Sequence, residues 1–265
     1  MRRRAVTALF FILLLAAWEL ALRRGLGNAF IIPKPSDVWL YFFDFSRDDS
    51  GAFRGALLNG TLLSATWVTV RRLVVGYVAG LLLGVPLGLF CGRFQIVRDT
   101  LGLVSLSLQT LPSVCWAPLA ILMFGQSEPA ILFIVVMGSL WAIIIATQDG
   151  VRNIQPIYLR AAATMGSKGW HLWTRVVMPA SLPAIVGGMK QGWAFSWRSL
   201  MAGEIYVVLL SGFGLGSLLD NGRNLHDMAQ VVGVMVVIML VGLAADRIAF
   251  APLDRSLRRR WGLER

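Results

Sequence analysis

The 265-residue sequence is poor in charged residues, in cysteine and in histidine. Charged residues make up 15% of the chain and hydrophobic residues 57%, whereas a soluble domain is about 25% charged. Runs of about 20 apolar residues complete the pattern, and such runs are typical of membrane-spanning segments. Because lipid offers no partner to unpaired backbone groups, this composition predicts an all-α integral membrane protein.

The few cysteines and histidines limit the possible chemistry. Cys91 and Cys115 both fall in apolar segments, and we interpret them as buried thiols rather than a disulfide or a metal site. His171 and His226 are the only histidines, and no clustered acids accompany them, so we expect no catalytic or metal-binding constellation. A phosphate-binding Gly-x-x-x-x-Gly-Lys-Ser/Thr loop is absent. We therefore expect no cofactor, and no ATP hydrolysis by this chain itself.

The distribution of basic residues predicts an orientation. The net charge is +11, but the basic residues lie between apolar segments rather than on one soluble face, so we expect no nucleic-acid partner. Candidate spans lie near 5–22, 73–92, 103–124, 129–148, 182–210 and 228–251. With a cytoplasmic N-terminus, 14 basic residues fall on the cytoplasmic side and six outside, which favours this orientation. Both termini are then cytoplasmic, and the first apolar run is a retained helix rather than a cleaved signal peptide.

The second span carries a glycine at every fourth position, namely Gly76, Gly80, Gly84, Gly88 and Gly92. Glycines at this spacing form a ridge that another helix backbone can approach closely. General helix packing explains such a ridge as well as a moving or pore-lining contact does, and both interpretations place the span at the centre of the bundle. Arg71 and Arg72, at the outer mouth of this span, are interpreted as snorkelling to the lipid headgroups.

Polar side chains at lipid depth are energetically expensive and usually functional. In the third span, Pro112 and Pro118 disturb the helix and free backbone carbonyls. In the fifth span, Arg198 has two interpretations: a positive site for an anion that crosses the membrane, or an internal ion pair with Glu204 or Glu19. The residues of the candidate translocation pathway are Gln109, Ser113, Trp116, Arg198 and Glu204.

A basic island, "LRAAATMGSKGWHLWTRVVMP" at 159–179, interrupts the apolar sequence. A first short helix is predicted over 157–165, with Pro156 in its first turn and Gly166 in the left-handed position that ends it. Ser167 is expected to cap a second short helix. From the residues alone, the island is either an amphipathic hairpin on the membrane surface or a docking knob for a cytoplasmic partner. Pro179 and Pro183 are expected to bracket the turn back into the membrane.

The island resembles the signature loop of ABC-importer permeases: Glu-Ala-Ala, three residues, Gly, nine residues, Ile, one residue, Leu-Pro. Arg160 stands at the glutamate position, a charge reversal. In the family this acid contacts the ATPase subunit, so the contact must differ here. The resemblance assigns the following residues to an ATPase-docking loop: Arg160, Ala161, Ala162, Gly166, Ser167, Val176, Met178 and Pro179.

Further stretches, among them "VGYVAGLLLGVPLGLFCGR" and "QTLPSVCWAPLAILMFG", are similar to the nitrate, sulfonate, taurine and bicarbonate branch of these permeases. The resemblance implies a type I ABC importer permease (MetI-like) fold with about six transmembrane helices. It also implies an N-terminal helix with an outer loop at 1–59, a permease core at 60–251 with a cytoplasmic coupling-helix loop at 149–181, and a basic cytoplasmic tail at 252–265.

The function that follows from the resemblance is that of a transport subunit, not an enzyme, in an ATP-driven importer of the bacterial inner membrane. Its cargo would be a small oxyanion or a sulfonate-type solute. The implied partners are two copies of a cytoplasmic ATP-binding subunit, a second permease copy in a homodimer, an external solute-binding protein and membrane lipid. The alternatives are a stand-alone secondary transporter or a channel. A secondary transporter would need intramembrane acids as relays, for which only Glu19, Glu204 and Asp246 qualify.

Overall fold

The computed structural model describes residues 2–25, 31–47, 54–209 and 212–260, which are predominantly α-helical. The last five residues of the predicted basic tail, and parts of the predicted outer loop, lie outside these ranges. The helices of the described residues are, in chain order, α1 (Arg2–Arg23), α2 (Pro35–Phe43), α3 (Thr61–Arg93), α4 (Gln95–Val97), α5 (Leu103–Gln109), α6 (Trp116–Phe124), α7 (Glu128–Arg152), α8 (Pro156–Thr164), α9 (Gly169–Leu172), α10 (Met178–Tyr206), α11 (Leu215–Asn224), α12 (Met228–Ala245) and α13 (Ala251–Arg260).

Within the described residues, three helical stretches are long and apolar enough to cross a membrane: Thr61–Arg93, Glu128–Arg152 and Met228–Leu253. They coincide with the predicted second, fourth and sixth spans. The predicted first and fifth spans coincide with α1 and α10, but neither helix belongs to these three. α10 carries prolines, glycines and charged residues that lower its mean hydropathy, so its place as a span remains a prediction.

The predicted third span is not one straight helix. Gln95–Gln109 and Ser113–Phe124 are two helical pieces bent by 102°, and together they could form a fourth span or a re-entrant loop. Pro112 lies at the break, with an extended ψ of 136°. Since proline has no N–H and disfavours helical backbone in the preceding residue, the chain cannot continue the helix here.

The chain divides into two compact units, and the larger comprises residues 70–209 and 242–265. In this unit α7 packs along α10 and against α5 and α6. Glycines bring α7 and α10 close together, since a Cβ on Gly192 would lie 2.7 Å from Cγ1 of Ile143. The fully buried core residues of this packing include Leu73, Ile131, Ile134, Val135 and Leu200.

The glycine ridge of α3 lies against α7 in the same four-residue step. A Cβ added at Gly84 would approach Ile143 to 2.9 Å, and one added at Gly88 would approach Thr147 to 2.5 Å. Every glycine of the ridge faces a different side chain of α7; the pairs are Gly76 with Val135, Gly80 with Ser139, Gly84 with Ile143, Gly88 with Thr147 and Gly92 with Val151. The two backbones are therefore close enough that a side chain at these positions would have to displace its neighbour.

The smaller unit comprises residues 1–69 and 210–241. The Glu19 carboxylate on α1 accepts hydrogen bonds from the backbone N–H of Ser36, at 3.1 Å, and from its hydroxyl, at 3.0 Å. It also pairs with Nε of Arg23 at 2.8 Å. The buried Thr69 hydroxyl accepts a 2.8 Å hydrogen bond from the backbone N–H of Leu215. These contacts fix α1 to α2 and the first turns of α3 to α11.

Two side chains differ from their sequence-based interpretation. Cys115 is exposed, whereas Cys91 is buried as expected. Arg72 does not snorkel, since it is buried, whereas the adjacent Arg71 is exposed. Consecutive residues of a helix point about 100° apart, so one arginine of the pair faces outward when the other faces the core.

Candidate docking loop and translocation pocket

The docking loop begins with α8, which has Pro156 in its first turn as expected. The helix ends in a Schellman motif: the backbone N–H of Ser167 donates to the Ala162 carbonyl at 2.9 Å, and that of Gly166 donates to the Ala163 carbonyl at 3.0 Å. Gly166 has φ +79°, the left-handed conformation in which a side chain is strained. Ala162 is buried beneath this turn. The local sequence therefore builds a rigid corner.

The expected helix cap by Ser167 is wrong. Lys168 occupies the N-cap position of α9, without a side-chain cap hydrogen bond, and the Ser167 hydroxyl is buried without a hydrogen-bond partner among the described residues. Gly166 explains the difference, because its left-handed turn uses the Ser167 backbone N–H to close α8. The next helix consequently begins one residue later.

The end of the docking loop also differs from expectation. α9 continues through a π-helical turn, Trp173–Val177, directly into α10. Val176 lies in this turn, and Met178 and Pro179 follow it at the start of α10. Pro183 lies inside α10. The chain therefore enters α10 without the predicted turn at the two prolines.

The surface of the docking loop is apolar and open. Large side chains that are exposed on it are Ile157, Tyr158, Met165 and Trp170. Arg160 and Ala161 are exposed beside them, and Arg160 forms no ion pair within the described part of the chain. An exposed apolar patch with an unpaired cation is typical of an interaction surface.

A pocket of about 290 Å³ lies where the helix breaks between α5 and α6. Four of the five predicted pathway residues line it: Gln109, Ser113, Trp116 and Arg198. Sequence analysis missed two further polar residues of its lining, Trp141 and Ser199. Nε1 of Trp141 and the Ser199 hydroxyl are buried atoms without a hydrogen-bond partner in the described residues. The remaining lining residues are Leu108, Thr110, Leu111, Pro112, Val114, Met137, Gly138 and Phe195.

Among the described residues that line the pocket, Arg198 is the only charged one. Its Cζ lies 5.8 Å from the centroid of the Phe195 ring, and it forms no ion pair with any described carboxylate. Neither acid considered as its partner is available, since Glu204 pairs with Arg72 and Glu19 pairs with Arg23. The pocket therefore offers hydrogen-bond donors and one positive charge, without an acidic side chain.

Glu204 lies apart from the other pathway residues, in a buried ion-pair cluster. The Arg72 guanidinium is bidentate to Glu128, at 2.9 and 2.6 Å, and donates a third bond of 2.9 Å to Glu204. The side chains of Arg72 and Glu204 are 1% and 0% exposed. This cluster joins α3, α7 and α10, and Arg72 and Glu128 are members that sequence analysis missed.

A second ion pair joins Lys190 of α10 to Asp246 at 2.7 Å. Both side chains are about half exposed, so this pair is not part of the buried core. Asp246 begins a π-helical turn that ends at Phe250, whose ring packs 5.8 Å from that of Trp193. Lys190, which falls in the fifth predicted span, therefore has a partner of its own, and it does not line the pocket.

Residues 84–259 match the family described as binding-protein-dependent transport system inner membrane component. A putative ABC transporter permease protein of Methanocaldococcus jannaschii is 32% identical over 74% of this chain and 72% of its own length. The nitrate import permease protein NrtB of Leptolyngbya laminosa is 28% identical over 93% of this chain and 85% of its own. The bicarbonate transport system permease protein CmpB of Synechocystis is 25% identical over 88% and 81%.

A solved structure of the MetNI methionine ABC transporter, in an inward-facing conformation, superposes with a TM-score of 0.57. The match covers 74% of this chain and 95% of that chain, at 18% sequence identity, and it supports the fold alone. The predicted all-helical, MetI-like permease fold is thus confirmed. With two thirds of its residues inside the family match, this chain belongs to the binding-protein-dependent transport system inner membrane components, the permeases of ABC importers.

Proposed function

We propose that this chain is the permease subunit of an ATP-driven importer for a small oxyanion, with Arg198 in its translocation pathway. The observation that carries the proposal is the donor-rich lining of the pocket at the helix break. Arg198, Gln109 and Ser113 supply N–H and O–H groups there, and the Arg198 guanidinium can only donate. A solute that accepts hydrogen bonds on several oxygens and carries negative charge is complementary to this lining.

The position of the pocket supports the same conclusion. Transporters often bind solute where a membrane helix is interrupted, because the interruption frees backbone groups and places helix ends beside the site. Here Gln109 ends one helical piece and Ser113 begins the next, and both line the pocket. An interrupted helix that borders a cavity is also the arrangement in which irregular backbone is tolerated at lipid depth.

The relatives' names agree with this cargo class. Two of them are named for nitrate and bicarbonate import, and both ions are small, planar oxyanions with one negative charge. A sulfonate head group presents three oxygens and the same charge, so the pocket lining alone does not separate these solutes. We assign the chemical class, and leave the choice within it to an external solute-binding protein that delivers the cargo.

The docking loop is the proposed contact with the ATP-binding subunit. Its exposed Tyr158, Met165 and Trp170 form an apolar surface, and Arg160 would need an acidic residue on the partner. The loop runs without interruption into α10, and Arg198 lies 20 residues beyond Met178, about 30 Å along a helix. A displacement of the loop would therefore be transmitted through α10 to the pocket.

The remaining parts of the assembly follow the family. We propose two permease copies in a homodimer, two ATP-binding subunits on the cytoplasmic side, and cytoplasmic N- and C-termini. Closure of the ATP-binding pair would move both docking loops and switch the helix bundle between its two states.

Uptake into proteoliposomes tests the cargo and the role of Arg198. The complex of permease, ATP-binding subunit and binding protein would be supplied with labelled nitrate, bicarbonate or a short sulfonate. We expect ATP-dependent uptake of at least one of them. Because a hydrogen bond to a charged group contributes about 1.5–3 kcal/mol, Arg198→Met should lower uptake by roughly tenfold to a hundredfold, with complex assembly intact.

Arg71→Met is the matched control, since Arg71 is an exposed arginine of α3 outside the pocket lining. It should transport at the wild-type rate. Uptake at the wild-type rate by the Arg198→Met complex would show that Arg198 does not bind the transported anion. Full-rate uptake by the permease alone, without nucleotide, would instead identify a secondary transporter or a channel.

Gly166→Trp tests the docking loop. The substitution forces a bulky side chain onto a residue at φ +79°, and a Cβ there meets no neighbour within 4 Å, so the strain is confined to the corner of the loop. We expect normal membrane insertion and loss of the ATP-binding subunit during purification. Gly187→Trp, also in open space but with ordinary backbone, should retain the subunit; recovery of an intact complex from Gly166→Trp would place docking elsewhere.

A further inference from the structure

A second cavity, of about 400 Å³, lies where the end of α3 meets the docking loop. We call it the aromatic pocket, and its lining residues are Pro86, Leu89, Phe90, Arg93, Phe94, Trp170, Trp173 and Met178. All of them except Arg93 are apolar or aromatic. Its volume falls within the range of ligand-binding cavities, about 300–1,000 Å³.

The single charge in the aromatic pocket is held between two rings. Cζ of Arg93 lies 5.6 Å from the centroid of Phe94 and 5.7 Å from that of Trp173, distances at which cation–π attraction fixes a guanidinium. Arg93 forms no ion pair with any carboxylate that the structure describes. Ring faces stabilise the charge but do not accept the in-plane N–H groups, which leaves donors for an anion.

Arg93 also lies at a defined depth. It is the last residue of α3 and the first charged residue after the apolar run that follows Arg72, so we place the boundary between hydrocarbon and water at this residue. Pro86, at the other end of the lining, is seven residues earlier, about 10 Å deeper along the helix. The aromatic pocket therefore extends from the headgroup level into the hydrocarbon.

The exposed aromatic side chains fit this depth. Trp170 is 80% exposed and Phe90 is 54% exposed, and Phe94 is exposed beside them. Tryptophan and arginine together are typical of the membrane–water interface, where one side of the residue is wet and the other apolar. In water alone these rings would form an unfavourable exposed patch.

We infer that the aromatic pocket binds an anionic phospholipid. The phosphate accepts hydrogen bonds from the Arg93 guanidinium, and one acyl chain lies along Phe90, Leu89 and Pro86. A soluble ATP-binding subunit could reach Arg93 but not the deeper part of the pocket, whereas a lipid supplies both the anion and the apolar chain. Charge complementarity and depth together favour the lipid.

The site has a consequence for the docking loop, because Trp170 and Trp173 belong to that loop and line the aromatic pocket. A bound lipid would brace the loop against α3 from the side opposite its corner at Gly166. Lipid composition would then influence how firmly the loop is held. The lipid site itself does not depend on the nature of the transported solute.

Lipid retention by the purified full-length permease tests the inference. The protein would be exchanged into nanodiscs with equal amounts of phosphatidylglycerol and phosphatidylcholine, released into detergent, and the bound lipid counted by native mass spectrometry. We expect wild type to retain phosphatidylglycerol about fivefold over phosphatidylcholine, the ratio that corresponds to one interfacial arginine. Arg93→Gln should lower this ratio about fivefold, whereas Arg93→Lys, which keeps the charge, should retain most of the preference.

Two further measurements address position and rival occupants. Leu89→Trp fills the apolar part of the pocket while it keeps Arg93, and it should lower total lipid retention. Equal retention of both lipids by wild type, or an unchanged ratio in Arg93→Gln, would overturn the proposal. Crosslinks from Phe90→Cys, in the deeper part of the pocket, to the ATP-binding subunit or to a second permease copy would overturn it as well and identify a protein as the occupant.

Discussion

Two arginines of the larger unit, Arg72 and Arg198, occupy opposite environments. Arg72 is buried and its guanidinium contacts two carboxylates, Glu128 and Glu204, at 2.6–2.9 Å. Arg198 is exposed to a pocket and stacks on Phe195 at 5.8 Å, without an acid in the pocket lining. Both residues lie on long helices and within the same compact unit. The same side chain is thus fully paired in one place and available in the other.

The difference separates a structural charge from a functional one. The donors of Arg72 face protein carboxylates on α7 and α10, and its contribution is to hold three helices together. The donors of Arg198 face a cavity, so they can be used by a solute and released again. A transport pathway needs the second kind, because a cation already neutralised by a buried carboxylate would attract a passing anion only weakly.

The largest effect is expected when the paired arginine is removed. Arg72→Met takes the guanidinium away from the Glu204 carboxylate, which is 0% exposed. Breaking a buried pair by removal of one partner costs about 3–5 kcal/mol, because the other charge stays buried. We expect the free energy of unfolding in detergent to fall by that amount. Chemical denaturation followed by tryptophan fluorescence measures it.

The double variant Arg72→Met with Glu204→Gln is the control for charge. It replaces the buried carboxylate by a neutral amide of the same shape, so it should be more stable than the single variant. Arg71→Met removes the exposed neighbour and should change stability by less than about 0.5 kcal/mol. If Arg72→Met is no less stable than Arg71→Met, the paired cluster does not hold the helices together and the contrast with Arg198 disappears.

Features with a local cause could be predicted from the sequence. Pro156 and Gly166 bound α8 because a proline fits the first turn and a glycine fits the left-handed position after the last. The four-residue glycine spacing of α3 likewise fixes one face of the helix, and this face lies against α7. In both cases the information is carried by residues within one or two helical turns.

Features that depend on distant residues could not be predicted. Arg72 meets Glu128 and Glu204, which are 56 and 132 residues away along the chain, and no spacing pattern records such a pairing. Trp141 and Ser199 line the pocket, although the sequence around each of them is typical of an ordinary apolar helix. Pro112 and Pro118 predict a disturbed helix in the third span. The size of the bend, 102°, depends on how the two helical pieces pack, and periodicity carries no information on that angle.

The smallest effect on stability is expected for the unpaired arginine. Arg198→Met removes a side chain that forms no ion pair with a described carboxylate, so the free energy of unfolding should change by less than about 0.5 kcal/mol, measured under the same conditions as Arg72→Met. Loss of stability comparable to that of Arg72→Met would make Arg198 a structural cation. Arg198→Lys sharpens the result: it keeps the charge but not the planar fork of donors, so it should match wild type in stability while transporting less. The two arginines are then distinguished by experiment: removal of Arg198 stops anion transport and leaves the fold intact, whereas removal of Arg72 destabilises the fold.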